Sequence, residues 1–133
     1  MSEYHVVKTQ YKQEDCLLKS LQELGYKVDV HQSPQSLRGY RGDLRQQKAH
    51  LIIKKEHIGS ASNDVGFFRN ADGQYQMIIS AYDKGVKKCQ PLLKSLSAIY
   101  NKHVVLKTAA LKGCSLISQT TDAQGRIHMR FSK

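Results

Sequence analysis

Two stretches of this chain carry a helical hydrophobic period, and its other apolar residues alternate or fall in short β-branched runs. The fold therefore has to combine separate helices with a sheet. In residues 13–24, Leu17, Leu21 and Leu24 recur at helical spacing with Cys16 and Leu18 beside them, while Glu14, Asp15, Lys19 and Glu23 stay polar. Acidic residues in the first turn suit the helix dipole, and Gly25 supplies a left-handed stop. In the second stretch Pro91 fits a first turn, where its missing N–H costs little, and Leu92, Leu96, Ile99 and Tyr100 make one apolar face. Val104, Val105, Ala109 and Leu111 carry the pattern toward Gly113, as one long helix or as two short ones broken near residues 101–105.

Residues 4–11, 27–31, 49–55, 64–69, 75–82, 114–121 and 126–132 read as strands from their alternation and their β-branched and aromatic content. Asn70-Ala71-Asp72-Gly73 closes a hairpin, because Asp-Gly favours the positive φ of a short connection. Asp122-Ala123-Gln124-Gly125 joins the last two strands. Residues 32–47, interrupted by Pro34, Gly39 and Gly42, are expected to form the longest loop, and long irregular segments are often functional. The order β-α-β-β-β-β-α-β-β predicts an α+β fold: an antiparallel sheet with two main helices packed on one face. A chain of 133 residues fits a single domain, 1–133, with one core that needs neither disulfides nor a structural metal.

The net charge of +10 is unevenly placed. Residues 1–83 hold eleven basic side chains against ten acidic ones, whereas residues 84–133 hold ten basic side chains against Asp122 alone, a net of +9. Such a field attracts polyanions through steering and counterion release, so nucleic acid or an acidic protein surface becomes the expected partner. The plainer reading is a lysine-rich surface that aids solubility. No apolar run is long enough to span a bilayer, and no membrane partner is expected. The N-terminus lacks a positive n-region with an apolar h-region, so the chain is expected to act where it is made. Cys16, Cys89 and Cys114 are odd in number, widely spaced and free of any C-x-x-C pair. They read as small core residues in a reducing compartment, the cytoplasm or an organelle's stroma.

The sharpest local feature is Arg38-Gly39-Tyr40-Arg41-Gly42. Arginine offers a planar fork of donors, and the glycines allow a tight turn or a close approach to a ligand. Such a loop can grip a phosphate, a carboxylate or a nucleic-acid backbone, with Tyr40 stacking on a base. With Lys84, Lys87, Lys88, Arg126 and Arg130 it makes up the expected anion- or partner-binding set. The competing structural reading pairs Arg38 or Arg41 with Asp43 or Asp64; between the two, Arg38 is expected to be structural and Arg41 exposed.

No catalytic or metal-binding signature is visible. The six histidines form no H-E-x-x-H pattern and no zinc-type pairing with cysteine, and no G-x-S-x-G motif is present. Asp64 and Asp83 are expected at opposite ends of their hairpin, which disfavours an acid–base pair. The expectation leans against an enzyme, with no cofactor and no metal.

Several short motifs in order carry a family resemblance. Val7-Lys8-Thr9, Leu21-Gln22-Glu23-Leu24-Gly25-Tyr26, Leu37-Arg38-Gly39-Tyr40-Arg41-Gly42, Asn63-Asp64-Val65-Gly66-Phe67, Tyr100 to Val105 and Asp122 to Ile127 resemble the uncharacterised family known as hypothetical chloroplast frame thirty-five, of cyanobacteria, algal plastids and scattered bacteria. After Tyr82-Asp83, where members of that family carry tryptophans, this chain has Gly85-Val86-Lys87-Lys88. The resemblance implies a shared fold and no assigned activity. Association with ATPase-containing gene neighbourhoods would favour an adaptor or complex subunit. The expected function is thus a small basic binding module for a polyanion, with an adaptor as the alternative and an enzyme using an anion-binding loop as a third reading.

Overall fold

In the computed structural model, which describes residues 2–133, the chain runs β1 (Tyr4–Lys8), α1 (Glu14–Glu23), β2 (Asp29–Arg38), β3 (Leu44–Ile53), β4 (Val65–Arg69), β5 (Tyr75–Ser80), α2 (Gln90–Lys94), α3 (Leu96–Leu111), β6 (Ser115–Thr121) and β7 (Ile127–Ser132). Five strands form an antiparallel sheet in the order β1-β5-β4-β3-β2, and β6 and β7 form a separate two-stranded sheet. The fold is α+β, as the alternating periods require.

The helices cover one face of the main sheet. Leu17 and Leu21 of α1, Leu92 of α2 and Leu96 and Tyr100 of α3 bury against Leu51, Ile53, Val65, Phe67, Met77 and Ile79, alternate residues of β3, β4 and β5. The Tyr100 hydroxyl also accepts the main-chain N–H groups of Lys12 and of the N-cap residue Gln13, both at 3.0 Å, which ties the entry to α1 against α3. Gly25, at φ +94°, ends α1 as its position predicts.

Residues 32–47 do not form the long loop expected. All but the tip at 39–43 belongs to a hairpin of two ten-residue strands. Pro34 is tolerated because β2 is an edge strand and its pairing with β3 shifts register between Val30 and Gln35. The polar composition that suggested a loop is the composition of a strand hairpin whose side chains largely face water.

That hairpin does not stay in the plane of the sheet. Ala49 and Leu51 are two residues apart on β3 yet pack on opposite faces, Leu51 under the helices and Ala49 with Tyr4, Leu37, Ile52 and Ile78 on the outer face. The strand turns at His50, which leaves the ladder with β4; its Nδ1 instead accepts the N–H of Arg69 at 3.0 Å. Burial holds the His50 pKa below its ordinary value, as suits a neutral acceptor. The hairpin then curls over the outer face, where Gly66 makes room. A Cβ there would stand 2.5 Å from the Ala49 Cβ and 2.9 Å from a Leu37 methyl.

Two further expectations are corrected. The second helix breaks at Ser95, between α2 and α3, and not near residues 101–105. Cys16 and Cys89 are buried, but Cys114 is partly exposed and lies outside the core.

Candidate functional site

The curl of the β2–β3 hairpin delivers the Arg-Gly loop to the open end of the β4–β5 hairpin, and a buried polar cluster receives it. Asp64, immediately before β4, accepts the N–H of Arg38 at 2.8 Å and that of Lys55 at 2.9 Å, one on each carboxylate oxygen. Its own N–H donates to the Arg38 carbonyl at 2.9 Å, and the Tyr4 hydroxyl donates to the Asp64 carbonyl at 2.7 Å. Burial raises the Asp64 pKa, opposed by those two main-chain donors. The same burial, with the Asp64 charge beside it, raises that of the Tyr4 phenol.

The middle of the loop is held by Asn63. Its side-chain oxygen accepts the N–H of Tyr40 at 2.9 Å, and its amide nitrogen donates to the Ser80 hydroxyl at 2.9 Å. Asp83 is fully buried; one of its oxygens accepts from the Asn63 N–H at 2.9 Å and the Ser80 hydroxyl at 2.8 Å, while the other has no partner. Asp64 and Asp83 therefore share one end of the hairpin, contrary to the sequence expectation. In an antiparallel pair the residue before the first strand and the residue after the second are neighbours.

Within the loop, the Gly39 N–H donates to the Asp43 carbonyl and the Gly42 N–H to the Gly39 carbonyl, both at 2.8 Å. Gly42 sits at φ +79°, a conformation other residues adopt only with strain. At Gly39 the space is taken instead: a Cβ would meet the Asp43 carboxylate at 2.4 Å, so a larger residue there requires that side chain to swing away. Of the two guanidinium groups, that of Arg38 touches this framework at one carbonyl and that of Arg41 at none. Arg38 and Arg41 are both exposed, and among the described residues neither forms an ion pair with a carboxylate. Arg38 Nη1 donates to the Gly42 carbonyl at 3.0 Å, and the Arg41 guanidinium lies 5.3 Å from the centre of the Tyr40 ring. The pairing of either arginine with Asp43 or Asp64 is thus absent. Arg38 holds the loop through its main-chain N–H on Asp64 and its Nη1 on the Gly42 carbonyl, whereas Arg41 touches only the Tyr40 ring; the structural share falls to Arg38 as expected, through these bonds and not through an ion pair, and both side chains are exposed.

Two hollows adjoin the loop. An open groove of about 520 Å³ under the curled hairpin is lined by Asp29, His31, Arg38, Lys54, Glu56 and Asp64 among others. A smaller hollow of about 250 Å³ on the other side is lined by Ser2, Tyr40, Ala61, Asn63 and Tyr82. Tyr82 is half exposed there, and Lys84 follows it two residues later.

The remaining basic residues do not converge on this place. Lys87 and Lys88 border a shallow concavity with Leu24, Gly25 and Tyr26 at the end of α1, where the Tyr26 hydroxyl donates to the Lys88 carbonyl at 2.5 Å. Arg126 lies across a cleft from Lys94 and Ser95 at the α2–α3 junction; its Nε is paired with Asp122 at 2.8 Å. Arg130 stands exposed on β7. Of the expected set, Arg38, Gly39, Tyr40, Arg41 and Gly42 form one structure with Lys84 near it, and the others occupy separate surfaces. Sequence reasoning missed Asn63, Ser80 and Asp83 as the loop's anchors, although the hairpin's topology already placed Asp83 beside Asp64.

Among the described residues no group of three or more His, Cys, Asp or Glu side chains is arranged to hold a metal ion, and no helix is long and apolar enough to cross a membrane. Fold and site together define a small α+β domain that presents a rigid Arg-Gly loop on a curled hairpin. The chain belongs to the family described as protein of unknown function (DUF1257), whose model matches residues 20–129, from within α1 to the middle of β7. An uncharacterised family is what the sequence resemblance implied. No curated protein and no solved structure matches the chain.

Proposed function

We propose that this protein is a binding module that grips an anionic, phosphate-bearing ligand, such as a nucleic-acid strand, with the loop at residues 38–42. One observation carries the reading: the loop's main chain is locked by Asp64 and Asn63, while the guanidinium groups of Arg38 and Arg41 remain exposed and free of carboxylates. A preorganised loop loses little conformational freedom on binding, and guanidinium groups free of carboxylates can make charge-assisted bonds without first breaking an ion pair. The hollow between Tyr40 and Tyr82 offers aromatic surface beside those charges, and the +9 excess of residues 84–133 steers a polyanion toward the molecule.

The test is binding of single-stranded RNA and DNA of random sequence at several salt concentrations. The logarithm of affinity should fall with the logarithm of salt by about 0.7 per phosphate neutralised on a single strand. Replacing Arg38 and Arg41 by Ala should weaken binding at least tenfold, equivalent to about 1.4 kcal/mol, with little change in melting temperature. No binding at low salt, or equal binding by the double variant, overturns the reading.

The adaptor reading draws on a different observation, the exposed apolar residues Val105 and Leu111 near the end of α3. A tagged protein isolated from its own cells should then retain a defined protein partner after nuclease treatment, and loss of every partner with the nucleic acid counts against it. An acid–base enzyme in the 520 Å³ groove is the least supported reading, because both Asp64 oxygens already accept main-chain N–H groups. Turnover of a phosphate ester abolished by Asp64→Asn in a fully folded protein would revive it.

A further inference from the structure

We propose that the hollow between Tyr40 and Tyr82 takes one unpaired base of a nucleic-acid strand, which makes the chain selective for single strands over duplex and indifferent to the base it holds. The inference rests on the loop at residues 38–42 being the grip on the backbone, and it adds what that grip discriminates.

Charge decides on which side of the loop a strand runs. The groove of about 520 Å³ on the Arg38 side carries the carboxylates of Asp29, Glu56 and Asp64, and its Lys54 ammonium is already paired with Asp29 at 3.3 Å. Phosphates laid along that groove would meet like charge. The hollow of about 250 Å³ on the other side has no carboxylate in its lining of Ser2, Tyr40, Ala61, Asn63 and Tyr82. Its charged neighbours are cations. The Arg41 guanidinium stands over the Tyr40 ring, 5.3 Å from its centre, and Lys84 follows Tyr82 by two residues, with no carboxylate partner among the described residues. Cations beside aromatic rings suit a single strand, whose backbone lies on the charges while a base lies on a ring.

The wall of the hollow accounts for the indifference. Reading a base requires free donors or acceptors at its edge. Asn63 spends its side-chain oxygen on the Tyr40 N–H at 2.9 Å, and its amide nitrogen on the Ser80 hydroxyl at 2.9 Å and the Asp83 carboxylate at 3.4 Å. The Ser2 hydroxyl accepts the Tyr82 N–H at 2.8 Å. What the wall chiefly offers is ring surface, with Tyr82 51% exposed, and every base has a face to lay on it. A base inside a duplex keeps its faces on its neighbours, so only one that is splayed out can enter.

The test is the affinity for one labelled strand, alone and annealed to its complement, at low salt. Electrostatics alone favours the duplex, which carries more charge per unit length. The expected result is the reverse: the single strand binds at least about tenfold tighter, and strands of different base composition agree within about fivefold. Tyr82→Ala should weaken single-strand binding at least about fivefold, the low end of what one stacked base contributes, with the salt slope unchanged, whereas Tyr82→Phe should not. Should Tyr82→Ala fail to fold, a strand of the same length without bases decides. It keeps every phosphate and should bind the unmodified chain at least about fivefold more weakly than the intact strand. These results are required with whichever of RNA and DNA the chain binds. Duplex bound as tightly as single strand, a wider spread among base compositions, or affinity unchanged by Tyr82→Ala or by loss of the bases overturns this inference and leaves the backbone grip standing. Absence of any nucleic-acid binding overturns both.

Discussion

Asp64 and Gly66 do more for the site than the arginines that first draw notice, since one ties the loop down and the other lets the hairpin reach it. Asp64→Asn separates anchoring from charge. It removes a negative charge beside the loop, which by electrostatics alone would strengthen the binding of a polyanion. It also turns one carboxylate oxygen into an amide nitrogen, a donor facing a main-chain donor. An unsatisfied pair of this kind costs about 1–3 kcal/mol, more than relief of the buried charge returns. The expected outcome is a lower midpoint in urea and weaker RNA binding; tighter binding at unchanged stability would show that Asp64 acts through its charge. Gly66→Ala places a methyl 2.5 Å from Ala49 and should cost about 1–3 kcal/mol by overpacking. Adding Ala49→Gly should recover part of that loss, measured by the same unfolding curves.

Between elements, α1 and α3 are joined by a polar clamp as well as by Leu17, Leu21, Leu96 and Tyr100. Lys102 Nζ and His103 Nε2 meet the Glu23 carboxylate at 2.6 and 2.9 Å, and Lys107 meets Asp15 at 2.8 Å. Glu23 lies in the last turn of α1, where the helix dipole disfavours a negative charge, and the two α3 groups offset this. Its pKa is held below the ordinary 4.5, chiefly by the hydrogen bond from Lys102, then by that from His103. A depressed acid contributes stability that is present above the unfolded value and lost as pH falls through the folded one. Because the side chain is 39% exposed, solvent screens the clamp, and its contribution should be about 0.5–1 kcal/mol. Glu23→Gln should lower the melting temperature slightly at neutral pH and flatten the decline below pH 4.5, with the two proteins converging in acid. A constant difference at every pH would mean that the carboxylate's charge is not involved.

At the scale of the molecule, the two core clusters include no residue of β6 or β7, and the C-terminal hairpin is attached through a few contacts with α3. A chain ending at Gly113 should therefore keep a cooperative thermal transition and its far-ultraviolet helical signal, while losing the charges of Arg126, Arg130 and Lys133. Loss of the transition would show that the hairpin is integral to the main domain. The same truncation leaves the Arg38 and Arg41 loop in place, so its RNA binding should fall only by the lost electrostatic contribution and keep a reduced salt slope.

The sequence alone determined the class of fold, because helical and strand periods are local properties that survive in any tertiary setting. Leu17, Leu21 and Leu24, Gly25 as the stop, and the Asp72-Gly73 turn were all legible, as was the Arg-Gly loop itself. The sequence did not reveal that residues 32–47 are mostly strand, because their polarity reflects solvent on an edge hairpin and not irregular backbone. It could not give the destination of the loop either. That was decided by the turn at His50, the gap at Gly66 and the neighbourhood of Asn63, Asp64 and Asp83, where Tyr4 and Asp64 meet across 60 positions of sequence. The absence of a carboxylate partner for either guanidinium group and the dispersal of Lys87, Lys88, Arg126 and Arg130 are likewise matters of which surfaces meet. Such facts depend on packing between distant segments, which no local pattern encodes.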